Sequence, residues 1–406
     1  MIKQPLDSLD TRSCIEACRA FGAEITSHKD SDDAVSWHIT GVDGFRNTVS
    51  PPLKDAEINV GNSGTTLYLA LAIAGLQEGP VVFSGDEQIQ KRSAAPLLDA
   101  LAGLGVRSKS VNGCAPITIH GPWKGGKVQL PCPTSQYLSA LLIAAPLAPA
   151  GTVTEIDVPL LNERPYVEMT LSYLKKHNVP FEAASDFSRF VIPGGSSWKE
   201  FSDTVPGDFS SAAFPAAAAA VSGGPVTILG LDPQDTQGDK FFFDMLKSMG
   251  CGVEWRLPHE AKAPFSVTVS RNGSLRGGTF DLNETPDLLP AAAVVAAFAE
   301  GDTALVNVAH ARIKETDRIS VMVKELAKLG VNCTERPDGL IVHGHGDSLK
   351  VPAENPVIDG HGDHRIVMAF AVAAAGSPVP VRLTTAECAA VTYPHFFGEI
   401  IQSRIM

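Results

Sequence analysis

The chain has no CxxC pair, no run of Lys or Arg, and no apolar stretch as long as the ~20 residues a bilayer requires. Its seven cysteines (Cys14, Cys18, Cys114, Cys132, Cys251, Cys333, Cys388) are scattered and odd in number. They suggest neither a disulfide nor a zinc framework and fit reduced thiols in a cytosol. Positive charge is scarce, with 33 Lys and Arg against 45 Asp and Glu for a net charge of −12. That balance argues against a nucleic-acid or anionic-membrane surface, so an acidic ligand has to be met by local fields. Met1 is not followed by a basic segment and an apolar core, so cytoplasmic residence is expected.

What the chain does have is repetition. An Ala-rich apolar helix, a glycine turn and a β-branched strand are written five times, with turn glycines Gly79, Gly151, Gly224, Gly301 and Gly376 spaced 72–77 residues apart. That period suits a small α/β subdomain and is too long for a solenoid unit. Between the copies lie more amphipathic helices (CIEACRAFGAEI, PLLDALAGLGV, MTLSYLKKHNV, MLKSMGCGV, VMVKELAKLGV), and HFFGEIIQSRIM makes a sixth. The first kind, apolar nearly all round, belongs in the middle of each subdomain and the second kind outside. Six against five leaves the first repeat without its buried helix. The expectation is an α/β fold of two domains, 1–206 and 207–406, with three subdomains each and a boundary near Thr204–Gly207.

Polar residues cluster just before each buried helix: Asn62–Thr66, Thr134–Gln136, Asp208–Ser211, Asp287 and Asp363–Arg365. Helix N-termini attract anions, and if the subdomains face a common cleft these starts converge on it. Plain N-capping explains any one of them. GNSGTT (61–66) has the small-residue character of an anion loop but holds no cation. The densest charged stretch, ARIKETDRI (311–319), places Lys314, Asp317 and Arg318 on one helical face, with Glu315 beside them. Asp287 and Glu315 can supply two carboxylates, one acting as base and one as acid. Arg92, Arg318 and Arg365 can hold a carboxylate or phosphate bidentately. His343 and His345 lack a third ligand nearby in sequence, so no metal is expected. Cys114 reads as a turn thiol, and His364 leaves a site role and a structural hydrogen bond both open.

GNSGTT, GDEQIQKR, TSQYLSALL, RPYVEMT, GDFSSAAF, TPDLLP, RIKETDR and GDHRIVMAF, in this order over essentially the whole chain, resemble the 5-enolpyruvylshikimate-3-phosphate synthase family. The resemblance implies two domains of three βαβαββ subdomains around pseudo-threefold axes. It also implies transfer of the carboxyvinyl group of phosphoenolpyruvate to the 5-hydroxyl of shikimate 3-phosphate by a monomer without metal or organic cofactor. By motif, Thr65, Thr134, Ser135, Gln136, Tyr166 and Lys314 would contact the acceptor, and Asp287 would hold its hydroxyls and take the 5-OH proton. Gly64, Arg92, Gln136, Arg318 and Arg365 would bind phosphoenolpyruvate, and Glu315 would serve proton transfer at its methylene carbon.

The departures from that pattern are Tyr68 for an arginine, Val391 for a lysine and His310 for an asparagine. The family's P-x-S-K-S segment belongs to the helix start that the repeat count finds missing: if Met1 marks a misplaced start, in-frame codons upstream should encode it, and a stop codon there without such a motif would make the truncation genuine and favour a non-catalytic relative. Each charged hydrogen bond lost costs ~1.5–3 kcal/mol, which weakens phosphoenolpyruvate binding. Two other readings remain open: a carboxyvinyl transferase with a different, less phosphorylated acceptor, and a non-catalytic relative that binds or regulates.

Overall fold

A helix with no polar face is stable only when surrounded, and the chain alternates such helices with one-sided ones. The computed structural model describes residues 1–29, 34–42, 56–257, 264–346 and 349–403. Its α-helices are α1 (Leu9–Ala20), α2 (Gly64–Ala74), α3 (Ala95–Gly103), α4 (Gln136–Ala144), α5 (Arg164–Lys176), α6 (Phe209–Ser222), α7 (Phe241–Ser248), α8 (Leu289–Ala297), α9 (Arg318–Lys328), α10 (His364–Gly376) and α11 (Phe396–Ser403). The even-numbered helices from α2 to α10 are the apolar ones. Every residue of α8 is buried, whereas α9 buries one stripe of Arg318, Ile319, Met322, Glu325 and Leu326.

The chain divides into two compact units, Met1–Val205 and Pro206–Met406, each with its own apolar core. In the first unit the described residues form three four-stranded sheets. One runs Asp203–Thr204, Ile2–Lys3, Val35–Thr40, Glu24–Lys29; the others carry α2 and α4, which pack on each other. In the second unit, α6, α8 and α10 pack against one another pairwise and are surrounded by three sheets.

Four of the apolar helices are crossovers between parallel strands: α2 joins Ala56–Asn59 to Pro80–Ser84, α4 joins Gly126–Gln129 to Val153–Asp157, α8 joins Thr279–Asp281 to Ala299–Val306, and α10 joins Val357–Asp359 to Arg382–Thr384. This topology sets the N-terminus of each buried helix at the C-terminal end of a strand, the position where open α/β sheets hold ligands. Ser63, Asp208 and Asp363 cap α2, α6 and α10 with their side chains. At these three of the five polar helix starts, capping groups stand beside the candidate ligand groups; the starts of α4 and α8 make no side-chain capping bond.

Candidate active site

In the second unit, Asp287 lies in the short turn Pro286–Leu288 that opens α8, Arg318 is the first residue of α9, and Asp363 caps α10 two residues before Arg365. Arg318, only 1% exposed, binds three carboxylates. Its Nε and Nη2 donate to Asp363 Oδ2 and Oδ1 at 2.8 and 3.2 Å, Nη1 to Asp287 Oδ1 at 2.7 Å, and Nη2 also to Glu315. Arg365 Nη2 reaches the other Asp287 oxygen at 3.1 Å. Thr316 Oγ1 donates to Asp363 Oδ2 at 3.0 Å, and the Arg365 N–H donates to Oδ1. Asp363 thus anchors the guanidinium while capping the helix that carries Arg365.

The charged residues of 311–319 do not share a helical face. Asp317, in a non-helical conformation, accepts from the Ser320 N–H and so caps α9, which begins only at Arg318. Its second oxygen pairs with Arg312 at 2.7 Å. Capping competes with helix propagation at an Asp, and Lys314 and Glu315 are left in the preceding turn.

Burial alone would raise the Asp287 carboxyl, but Arg365, then Lys314 and Arg318, outweigh it and hold the group well below the usual carboxylate range. Two buried groups beside it go unmarked by helix-start patterning or have their role left open. Asp239, on the turn Gly238–Lys240, accepts from Ser210 Oγ and is pushed up to about 6 by burial and by Asp287. The His364 imidazole is pushed down to about 4 by burial, only partly offset by Glu315 and Asp363, and its Nδ1 meets no hydrogen-bond partner among the described residues.

The first unit gathers a second polar group. Gln136 Nε2 donates to Thr65 Oγ1 at 2.7 Å, and Thr134 Oγ1 lies 3.4 Å from Gln136 Oε1. Asn62 donates to Asp86 and Gln88, and the Asp86 N–H donates to the Gly61 carbonyl, tying GNSGTT to GDEQIQKR. That link brings Arg92 against the loop: a Cβ on Gly64 would collide with its guanidinium. The cation absent from GNSGTT itself is supplied from 28 residues further on. Tyr166 stands in the first turn of α5. The cap of α5 is Glu163, 2% exposed and left-handed at φ 59°, a residue the helix-start pattern passes over because it follows no apolar repeat.

The three departures are each absorbed by packing. Tyr68 is buried edge-on to Tyr137, ring centroids 5.0 Å apart; His310 is buried with Nε2 3.1 Å from the Asn283 carbonyl; Val391 is buried at the end of Ala386–Val391. His343 bonds Thr334 and Asp302, and His345 the Gly330 carbonyl. Two cavities of 420 and 360 Å³ in the first unit, walled in part by Ile2, Trp198 and Phe201, include none of the candidate residues.

The family model described as EPSP synthase (3-phosphoshikimate 1-carboxyvinyltransferase) matches residues 1–400. The chain belongs to the EPSP synthase family. It is 43% identical over 397 residues to a 3-phosphoshikimate 1-carboxyvinyltransferase of Acetivibrio thermocellus, covering 97% of this chain and 88% of the relative. It is 41% identical over 405 residues to the protein of that name from Ruminiclostridium cellulolyticum, covering 98% and 89%. Among solved structures, the EPSP synthase of Acinetobacter baumannii superposes with a TM-score of 0.75 at 25% identity, covering 99% of this chain and 89% of that one. The enolpyruvyl transferase NikO of Streptomyces tendae shares the fold at 18% identity and a TM-score of 0.68, covering 99% and 88%. The span matched in this EPSP synthase family member takes in the whole first unit and the second up to residue 400. Among its described residues no helix is long and apolar enough to cross a membrane.

Proposed function

We propose that the chain transfers the carboxyvinyl group of phosphoenolpyruvate to the 5-hydroxyl of shikimate 3-phosphate and releases phosphate, the activity named in its relatives. The observation that carries the chemistry is the environment of Arg318. A buried guanidinium shared by three carboxylates is more than a structural ion pair needs, and two of the three are exchangeable. Asp363 is fully buried, whereas the Asp287 and Glu315 side chains are 20% and 14% exposed.

Phosphoenolpyruvate brings a carboxylate and a phosphate that can replace Asp287 and Glu315 on the Nη atoms of Arg318, and Asp287 on Arg365. The exchange releases both protein carboxylates. Asp287 then loses its pairing with two of the three cations that hold its pKa down, Arg365 and Arg318, with Lys314 remaining, and its basicity rises. In the free protein it is a poor base; in the complex it can take the 5-OH proton.

Substitution at the phosphate-bearing carbon needs one C–O bond made and another broken while the double bond is restored. Protonation of the methylene carbon by Glu315 makes the neighbouring carbon electrophilic, and the acceptor oxygen adds to it as Asp287 removes its proton. Loss of phosphate then breaks the old C–O bond, and return of the methyl proton restores the alkene. Arg92 and Gly64, with Gln136, are assigned to phosphoenolpyruvate, and Thr65, Thr134, Ser135, Gln136, Tyr166 and Lys314 to the acceptor.

Phosphate release that requires both substrates, with a product carrying one added carboxyvinyl group by mass spectrometry, tests this reading. Release with an unphosphorylated acceptor alone would move it to another acceptor, and tight binding without release would leave a non-catalytic relative. The same reading expects a cytoplasmic monomer needing no metal or organic cofactor, so a chelator should leave turnover unchanged.

A further inference from the structure

The donors that the acceptor reading gives to shikimate 3-phosphate are already taken. Glu163 Oε2 accepts from Ser135 Oγ at 2.7 Å, from the Ser135 N–H at 2.9 Å and from Thr134 Oγ1 at 3.1 Å. Each hydroxyl has one hydrogen to give and the amide has one. While Glu163 sits there, none of the three is directed at another anion. An acceptor phosphate placed beside the carboxylate would also add like charge in a buried setting, where charge repulsion is least screened.

We propose that Glu163 is a specificity-determining residue for the acceptor. Its carboxylate stands in for the acceptor's anionic substituent in the free protein, and a phosphorylated acceptor binds by displacing it from Thr134 and Ser135. The proposal rests on the acceptor assignment above. The geometry favours such an exchange. Glu163 is the cap of α5 yet makes no side-chain capping bond to that helix, and its side chain instead crosses to the start of α4. Its carboxylate can therefore leave without removing a side-chain cap from α5.

The price of displacement falls on the phosphate-bearing acceptor alone, so removing the charge at 163 should change discrimination between shikimate 3-phosphate and shikimate. Both ligands are titrated calorimetrically into the full chain and into Glu163→Gln and Glu163→Ser, with cooperative melting checked for each. The expected result is at least ~5-fold tighter binding of shikimate 3-phosphate in the variants with less than ~2-fold change for shikimate, because a competing occupied state has been removed. Unchanged or weaker shikimate 3-phosphate binding, a parallel change for both ligands, or no binding in any of the three proteins overturns the proposal.

A crystal structure of the wild-type complex with shikimate 3-phosphate tests it without a variant. Phosphate oxygens on Ser135 and Thr134, with Glu163 swung away, support it; Glu163 still on Ser135 overturns it. The two readings fail separately. A chain that turns over shikimate 3-phosphate but gains nothing from Glu163→Gln loses the exchange alone, and one that gains affinity without turnover loses only the reaction.

Discussion

Arg318 and Asp363 form a two-point pair, Nε to Oδ2 at 2.8 Å and Nη2 to Oδ1 at 3.2 Å, with both side chains essentially removed from solvent. Asp363 also caps α10. Removing one partner of a buried pair leaves an uncompensated charge, and Asp363→Ala is expected to lower stability by about 3–5 kcal/mol. Chemical denaturation of the variant measures this. Asp363→Asn, which keeps the shape, should retain the cap but raise the KM for phosphoenolpyruvate as Arg318 loses its anchor. A loss confined to stability would make Asp363 structural only.

Gly64 is needed for approach rather than for backbone freedom. Its missing Cβ leaves the space in which the Arg92 guanidinium lies. Gly64→Ala should therefore displace Arg92 at little cost to folding and raise the KM for phosphoenolpyruvate about tenfold or more, since small misplacements of a binding group are expensive. Unaltered kinetics in Gly64→Ala would show that Arg92 works from another position.

Stability should respond to acid through two buried groups of opposite sign. His364 is pushed down to about 4 from 6.5, so between those values the unfolded chain binds a proton that the native state does not. Its contribution is lost as pH falls from 6.5 toward 4, by up to about 3 kcal/mol at ~1.4 kcal/mol per unit. Asp239 is pushed up to about 6 from 3.8, so the native state holds the extra proton there, and its contribution is full below 3.8 and lost as pH rises through 6. The slope of stability against pH between about 4 and 6 should become less positive in His364→Gln and more positive in Asp239→Asn. Curves parallel to the wild type in both variants would remove the two groups from the balance.

Much of this was legible in the sequence because the signals were local. Helices α2, α4, α6, α8 and α10 announce themselves by continuous apolar composition, and α3, α5, α7 and α9 by one apolar stripe. The residues Thr65, Gln136, Asp287 and Arg365 are marked by their position at the starts of apolar helices, beside capping groups at Ser63 and Asp363. What escaped depends on tertiary approach. Glu163 caps α5 but bonds to the start of α4, 28 residues earlier, and Asp239 becomes a site group only because α6 and α8 bring Ser210 and Asp287 beside it. At Asp317 the structure departs from the pattern for a local reason: charge spacing suggests a helix face, whereas an Asp there caps the helix and excludes Lys314 from it.

The most direct measurement is kcat together with phosphoenolpyruvate affinity in Asp287→Ala and Glu315→Gln. If these carboxylates are the acid and base that phosphoenolpyruvate displaces from Arg318, turnover falls at least ~10²-fold in each, while phosphoenolpyruvate binds as tightly as in the wild type or tighter because a competitor for the guanidinium is gone. A near-wild-type kcat in either variant would contradict the account.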